Sequence, residues 1–169
     1  MQSRSTPISI RQATLDDAEL ISILNVDVQA IHAAALPQRF KRPGPASFTT
    51  AETHDLLAKA DNVVFLAFAH GAPAGYAYAK IIRRPETSLT YAYQMIYLHH
   101  ISVKPEHRRR GVGSALLDAV RLSASSLDIA LLTVDVWSFN DVARAFFHRH
   151  GFEHYIERLW WKPDRVVSD

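Results

Sequence analysis

Apolar positions recur along the chain with two periods, and each change of period marks a new element. Ile8 to Arg11 reads as a short strand. Thr14 with Asp17 three residues on is a capping-box-like start. Ala18, Ile21, Leu24, Val28 and Ile31 follow at steps of three and four, which predicts a helix with one buried face. Leu36 to Phe48, LPQRFKRPGPASF, contains three prolines and a glycine and is expected to be a long loop. Thr49 with Glu52 repeats the capping pattern and predicts a short helix through Ala60.

Val63 to Ala69 is an apolar strand, His70 to Gly75 has turn chemistry, and Tyr76 to Ile82 is the returning strand. A loop is expected over Arg83 to Ser88. Leu89 to Val103 is rich in β-formers, but 15 residues is long for one strand, so a bend or bulge is expected. Pro105 ends that run. From Gly111 the pattern turns helical, with Val112, Ala115, Leu116, Ala119 and Val120 on one face. Ile129 to Val136 is nearly unbroken apolar sequence, as for a strand covered on both sides. Asn140 to His150 predicts a helix with Val142, Ala143, Phe146 and Phe147 on its apolar face and Gly151 at its C′ position. Glu153 to Lys162 is β-like, and Trp160 and Trp161 are expected to fill core or a dimer face. Antiparallel strands early and a strand-helix-strand unit later make a mixed α/β fold.

Composition narrows this picture. The 169 residues suit one domain, with no internal repeat or linker. With no cysteine, the chain has no disulfide scaffold, thiolate metal site or cysteine nucleophile. Apolar residues at 48% and charged residues at 21% argue against disorder. A net charge of +2 gives no global field to attract nucleic acid or a membrane. No apolar stretch suits a signal peptide or a membrane span, so a cytoplasmic setting is expected. The histidines share no spacing with carboxylates on one element, so no metal site is implied.

The stretch richest in chemistry is Val103 to Ser114, VKPEHRRRGVGS. A strand ends, a basic turn with glycines follows, and a helix begins. Glycines let the backbone approach an anion closely, and the helix end presents free N–H groups and positive charge. Arg108, Arg109 and Arg110 add cations. The stretch lacks the glycine-lysine-serine/threonine ending of a P-loop and the third glycine of the dinucleotide fingerprint. A basic surface turn is the plain alternative.

The same stretch resembles the coenzyme A loop of the GNAT superfamily of N-acetyltransferases, whose motif is Arg/Gln-x-x-Gly-x-Gly/Ala. Arg108, Gly111 and Gly113 occupy it, directly after Ile101-Ser102-Val103. The order that follows also matches the family: helix, strand, Asn140, short helix and Gly151-Phe152. The resemblance covers roughly residues 7 to 162. It implies a single acetyltransferase domain over 1–169, with a mixed, mostly antiparallel sheet, a parallel strand pair at its centre and about four flanking helices. It also implies acetyl-CoA as acyl donor and a primary amine as acceptor, with direct attack in a ternary complex. Pantetheine would run along the backbone edge at Ile101, Ser102 and Val103. The pyrophosphate would sit on the N–H groups from Arg108 through Arg109, Arg110, Gly111, Val112 and Gly113 to Ser114. Asn140 matches a position that touches the pantetheine arm or an ordered water, and it also suits a helix cap. Phe147 stands where the family usually has the tyrosine that protonates the thiolate, so no general acid is assigned. That departure supports an alternative, a non-catalytic acyl-CoA sensor on the same fold.

The acceptor amine must be neutral to attack. For an alkyl amine near pKa 10.4 that costs about 4.6 kcal/mol at pH 7, against about 1–1.4 kcal/mol for an α-amine. His99 is the leading candidate base, at the place where the arylalkylamine branch of the family has a histidine. Strict alternation would put His99 on one face with Tyr97, Ile101 and Val103, and His100 on the other. His100 and Tyr97 are secondary candidates. Tyr91, Tyr93, Asp135 and the Arg39–Phe48 loop are expected near the amine, Asp135 either holding its charge or pairing with an arginine.

Overall fold

The computed structural model describes residues 7–161. The chain forms two compact units that divide between Asp135 and Val136. The first holds a five-stranded sheet in the order β1-β2-β3-β4-β5, made of β1 (Ile8–Gln12), β2 (Asn62–Ala69), β3 (Ala72–Arg84), β4 (Tyr93–Val103) and β5 (Leu131–Val134). The first four strands pair antiparallel, and β5 joins β4 in parallel. Three helices accompany them: α1 (Ala18–Ala35), α2 (Thr50–Leu57) and α3 (Val112–Ser126). The second unit holds α4 (Asp141–Arg149). Among the described residues no helix is long and apolar enough to cross a membrane.

Local chemistry places the helix starts. The Asp17 carboxylate accepts from the Thr14 N–H at 2.8 Å and hydroxyl at 3.1 Å, which completes the first capping box. The same carboxylate takes both arms of the Arg11 guanidinium at 2.7 Å, so β1 and the start of α1 are tied together. One 3-10 turn, Leu15–Asp17, precedes α1. The Glu52 N–H donates to the Thr49 hydroxyl, and the Glu52 carboxylate accepts from the Thr49 N–H, at the head of α2.

The core lies on both faces of the sheet. Ile21, Leu24, Val64, Leu66 and Tyr76 form a buried cluster beneath α1. On α3, Val112, Leu116, Leu117, Val120 and Ala124 are buried. Ile31 falls outside the buried face of α1.

Several boundaries differ from the sequence pattern. The tight turn is only His70-Gly71, because β3 already begins at Ala72 and absorbs its proline and glycine next to a bulge at Ala67/Phe68. Arg83 and Arg84 extend β3 by pairing with Gln94 and Tyr93, so the loop starts at Pro85. Leu89 and Tyr91 lie in that loop, fully in solvent, rather than on the strand. β5 is shorter than its apolar run and only half-buried. It is the last strand of the sheet, so the parallel pair lies at one side. The reason is that Glu153 to Trp161 form no strand; Lys162 lies outside the described residues. Trp160 and Trp161 are 57% and 84% exposed and do not fill core.

Candidate functional site

The register between β3 and β4 slips by one residue at its middle. Tyr78 stands opposite His100, while its neighbour Ala79 stands opposite Leu98. His99 is therefore the extra residue of a β-bulge. The bulge breaks the alternation assumed from sequence. Tyr97 pairs across with Lys80 and His100 with Tyr78, so both belong to the face of Tyr76, Tyr78 and Lys80. Ile101 and Val103 fall on the opposite face with Leu98. His99 thus shares a side with Tyr97 and His100, not with Ile101 and Val103. Its ring stacks on Tyr78 at 4.8 Å and meets Tyr97 edge-on at 4.5 Å.

Electrostatics separates the two histidines. His100 is largely enclosed, with the ring edges of Phe48, Tyr76 and Tyr78 around it. Burial, reinforced by His99 and His32, pushes its pKa down to about 4. The Tyr76 hydroxyl lies 2.9 Å from its Nδ1. At neutral pH an uncharged His100 shares a hydrogen bond with that hydroxyl through Nδ1. His99 is exposed at the bulge. Its pKa is also lowered, first by partial desolvation and then by Lys80, while Asp135 opposes the shift. A neutral imidazole at the surface can accept a proton, whereas His100 is too acidic and too enclosed to be the better base.

The loop from Leu36 to Phe48 is fastened beside this face. Gln29 Nε2 donates to the Lys41 carbonyl at 2.6 Å, Ser22 Oγ donates to the Phe48 carbonyl at 2.6 Å, and the Phe40 ring meets His32 at 5.1 Å.

Beyond the bulge β4 keeps β3 and loses β5. Its pairing with β5 ends at Leu98 and Val134, yet β4 continues to Val103. The Lys104 N–H bonds the Ala74 carbonyl on the β3 side at 2.9 Å. Alternation then turns the amide groups of Val103 and Ile101 toward the side where β5 has ended. Ser102 instead sends its hydroxyl to the Leu24 carbonyl at 3.2 Å, a structural contact.

A 3-10 turn, Pro105–His107, leads to the arginines. Arg108 Nε donates to the Val103 carbonyl at 3.0 Å and so pins the loop to the end of β4. Arg109 and Gly111 both take positive φ, +57° and +89°. Gly111 is the N-cap of α3 and occupies the left-handed region that glycine enters without steric cost. The first helical bond runs from the Ala115 N–H to the Gly111 carbonyl at 3.0 Å. The N–H groups of Val112 and Gly113 precede it and have no carbonyl partner within the helix. Arg108, Arg109 and Arg110 are exposed around this end. Backbone donors, a helix dipole and three cations suit the pyrophosphate of a CoA thioester, and the amide edge of Ile101 and Val103 suits its pantetheine amides.

In the second unit, Asn140 caps α4 by accepting from the Ala143 N–H at 3.1 Å. Phe147 is buried between Phe146 and Phe152, with ring centroids at 5.1 and 5.2 Å. Val142 is exposed rather than on the apolar face. Gly151 takes the C′ position, and the Phe152 N–H closes the helix on the Phe147 carbonyl at 3.0 Å. Tyr76, Tyr78 and Lys80 were not singled out from sequence; a bulge leaves no mark in composition that would have put them beside His99. Among the described residues no group of three or more His, Asp or Glu is arranged to hold a metal ion.

The sequence matches the model of the acetyltransferase (GNAT) family over residues 27–152. No curated protein matches it. Among solved structures, a mutant of the BH1408 protein of Bacillus halodurans is similar with a TM-score of 0.86 and 19% identity, covering 91% of this chain and 98% of that one. A transcriptional regulator from Bacillus halodurans C-125 is similar with a TM-score of 0.72 and 19% identity, over 92% and 99% of the two chains. The aminoglycoside N-acetyltransferase AAC(6')-Iy, solved in complex with CoA, is similar with a TM-score of 0.68 and 20% identity, over 97% and 99%.

Proposed function

The chain belongs to the acetyltransferase (GNAT) family, and from that membership we propose that it moves an acetyl group from acetyl-CoA to a primary amine. The observation that carries this reading is the parting of β4 from β5 after Leu98 and Val134, followed at once by the arginine loop and the left-handed Gly111. The gap would receive pantetheine along Ile101 and Val103. The Val112 and Gly113 N–H groups and the three arginines would hold the pyrophosphate.

In the proposed reaction the amine nitrogen attacks the thioester carbonyl carbon. His99 takes one amine proton, the C–S bond breaks, and CoA leaves as a thiolate. A thiol pKa near 8.5 lets the thiolate leave without a dedicated acid, which fits a phenylalanine at position 147. The lowered pKa of His99, which is exposed and partly desolvated, supports the proton-accepting role. The aminoglycoside acetyltransferase similarity concerns the fold and leaves the acceptor of this chain open.

Phe147 also favours a second reading, an acyl-CoA sensor without turnover. Free-thiol release from acetyl-CoA in the presence of primary amines separates the two. Release above the amine-free control supports transfer, whereas acetyl-CoA binding with no amine-dependent release supports the sensor.

A further inference from the structure

Asn25, in the middle of α1, is only 5% exposed, and its Oδ1 has no hydrogen-bond partner among the described residues. A buried carbonyl oxygen left without a donor is costly, and folds rarely keep one. The residue borders a crevice between α1 and the Leu36–Phe48 loop, with Ser22, Asn25 and Gln29 on one wall and Ser47 and Phe48 on the other. Its interior, about 10 Å³, is about the size that holds a single water. The walls call for a donor. Ser22 Oγ already gives its proton to the Phe48 carbonyl at 2.6 Å, and Ser47 Oγ gives its proton to the Gly44 carbonyl at 2.9 Å. Toward an occupant both hydroxyls, like Asn25 Oδ1, can therefore only accept. A water donates twice. The loop carries Arg39, Lys41 and Arg42 and no acid, which disfavours a cation in the same place.

We propose that the crevice binds one buried water, hydrogen-bonded to Asn25 Oδ1, and that this water is a clip by which α1 holds Phe48 against His100. Phe48 needs holding. It takes φ +50°, a left-handed conformation that a bulky side chain adopts only under strain. In that conformation its ring lies edge-on to His100 at 5.6 Å while its carbonyl takes the Ser22 proton. The water adds a bond on the Asn25 side of the same residue. Asn25 is therefore a positioning residue. It steadies Phe48, Phe48 helps to keep His100 enclosed, and an enclosed His100 stays uncharged beside Tyr76. The assignment stands apart from the acetyltransfer reading and holds whether or not the chain transfers an acetyl group.

The test begins with a crystal structure of the full wild-type chain at atomic resolution, with a second crystal soaked in rubidium. Density for one oxygen within hydrogen-bond distance of Asn25 Oδ1 and of Ser22 or Ser47 is expected. No density there overturns the site, and anomalous signal from rubidium overturns water as its occupant. In solution, Asn25→Leu removes the acceptor and keeps the branched shape. A lower urea midpoint is expected, together with a rise of the His100 pKa from about 4, followed through its ring resonances by NMR. A higher midpoint would mean that Oδ1 is dry and unpaired in the wild type, which overturns the water. An unchanged His100 titration in folded Asn25→Leu overturns the clip, because lost stability alone does not move that value.

Discussion

The Tyr76 hydroxyl and His100 Nδ1 meet at 2.9 Å, a buried bond directly beside the one-residue slip that makes His99 the bulge. Tyr76 is fully buried, and burial pushes its phenol far above the usual range. Both groups are therefore uncharged at neutral pH and joined by a hydrogen bond. It braces the strand just after the residue that turns outward.

Tyr76→Phe removes that hydroxyl and keeps the ring. The enclosed Nδ1 of His100 loses its partner, which costs about 1–3 kcal/mol. Urea unfolding is expected to show that loss, and amine-dependent thiol release is expected to fall with it. Wild-type stability in Tyr76→Phe would mean that the bond contributes nothing to the bulge.

Acid acts on the fold in two windows. Burial holds the His100 pKa down at about 4 in the native state, against 6.5 for a free imidazole. Between those values the unfolded chain holds more protons, so stability falls as pH falls, by up to about 1.4 kcal/mol per pH unit. Asp17 titrates near 2 instead of 3.8, chiefly because Arg11 holds it ionised. Its contribution is present above 3.8 and is lost as pH drops toward 2. Unfolding free energies at pH 7, 5.5 and 4.5 are expected to decline in the wild type and to decline less in His100→Gln. Equal slopes in the two proteins would contradict the buried-histidine argument.

Gly75 lies under the backbone of β4. A Cβ there would sit 2.3 Å from the Ser102 carbonyl oxygen, and neither backbone can move without shifting the sheet register. Gly75→Ala is expected to destabilise the fold by about 1–3 kcal/mol or more, the range for overpacking, seen as a lower urea midpoint. An unchanged midpoint would mean that β3 and β4 separate freely at this point.

Much of this was legible in the sequence, for local reasons. Both capping boxes were readable because their partners lie three residues apart. The arginine loop and Gly111 were readable because glycines and cations crowd one short stretch between a strand and a helix. The bulge was expected only somewhere within 15 residues, since its position depends on which β3 residue faces which β4 residue. Strict alternation therefore separated His99 from His100 wrongly. The segment after Phe152 misled in another way. Tyr155, Ile156, Leu159 and the two tryptophans have strand-forming side chains, but they find no ladder partner among the described residues and stay exposed.

His99→Ala is expected to slow amine-dependent thiol release at pH 7 and to regain much of the rate at high pH, where the amine is already neutral. General-base loss typically costs about 100- to 10,000-fold. A loss independent of pH, or no loss, would remove His99 as the base.

Calorimetric titration with acetyl-CoA, with CoA and ATP as controls, tests the cradle most directly. One-to-one binding of both CoA species, weaker binding of ATP, and loss of all binding in Gly111→Glu are expected. That substitution sets a carboxylate among the pyrophosphate donors and forces a side chain into φ +89°. Circular dichroism of Gly111→Glu must still report a folded chain for the comparison to count. Failure of folded wild-type protein to bind either CoA species would contradict the assignment and leave Arg108 to Gly113 as a basic turn.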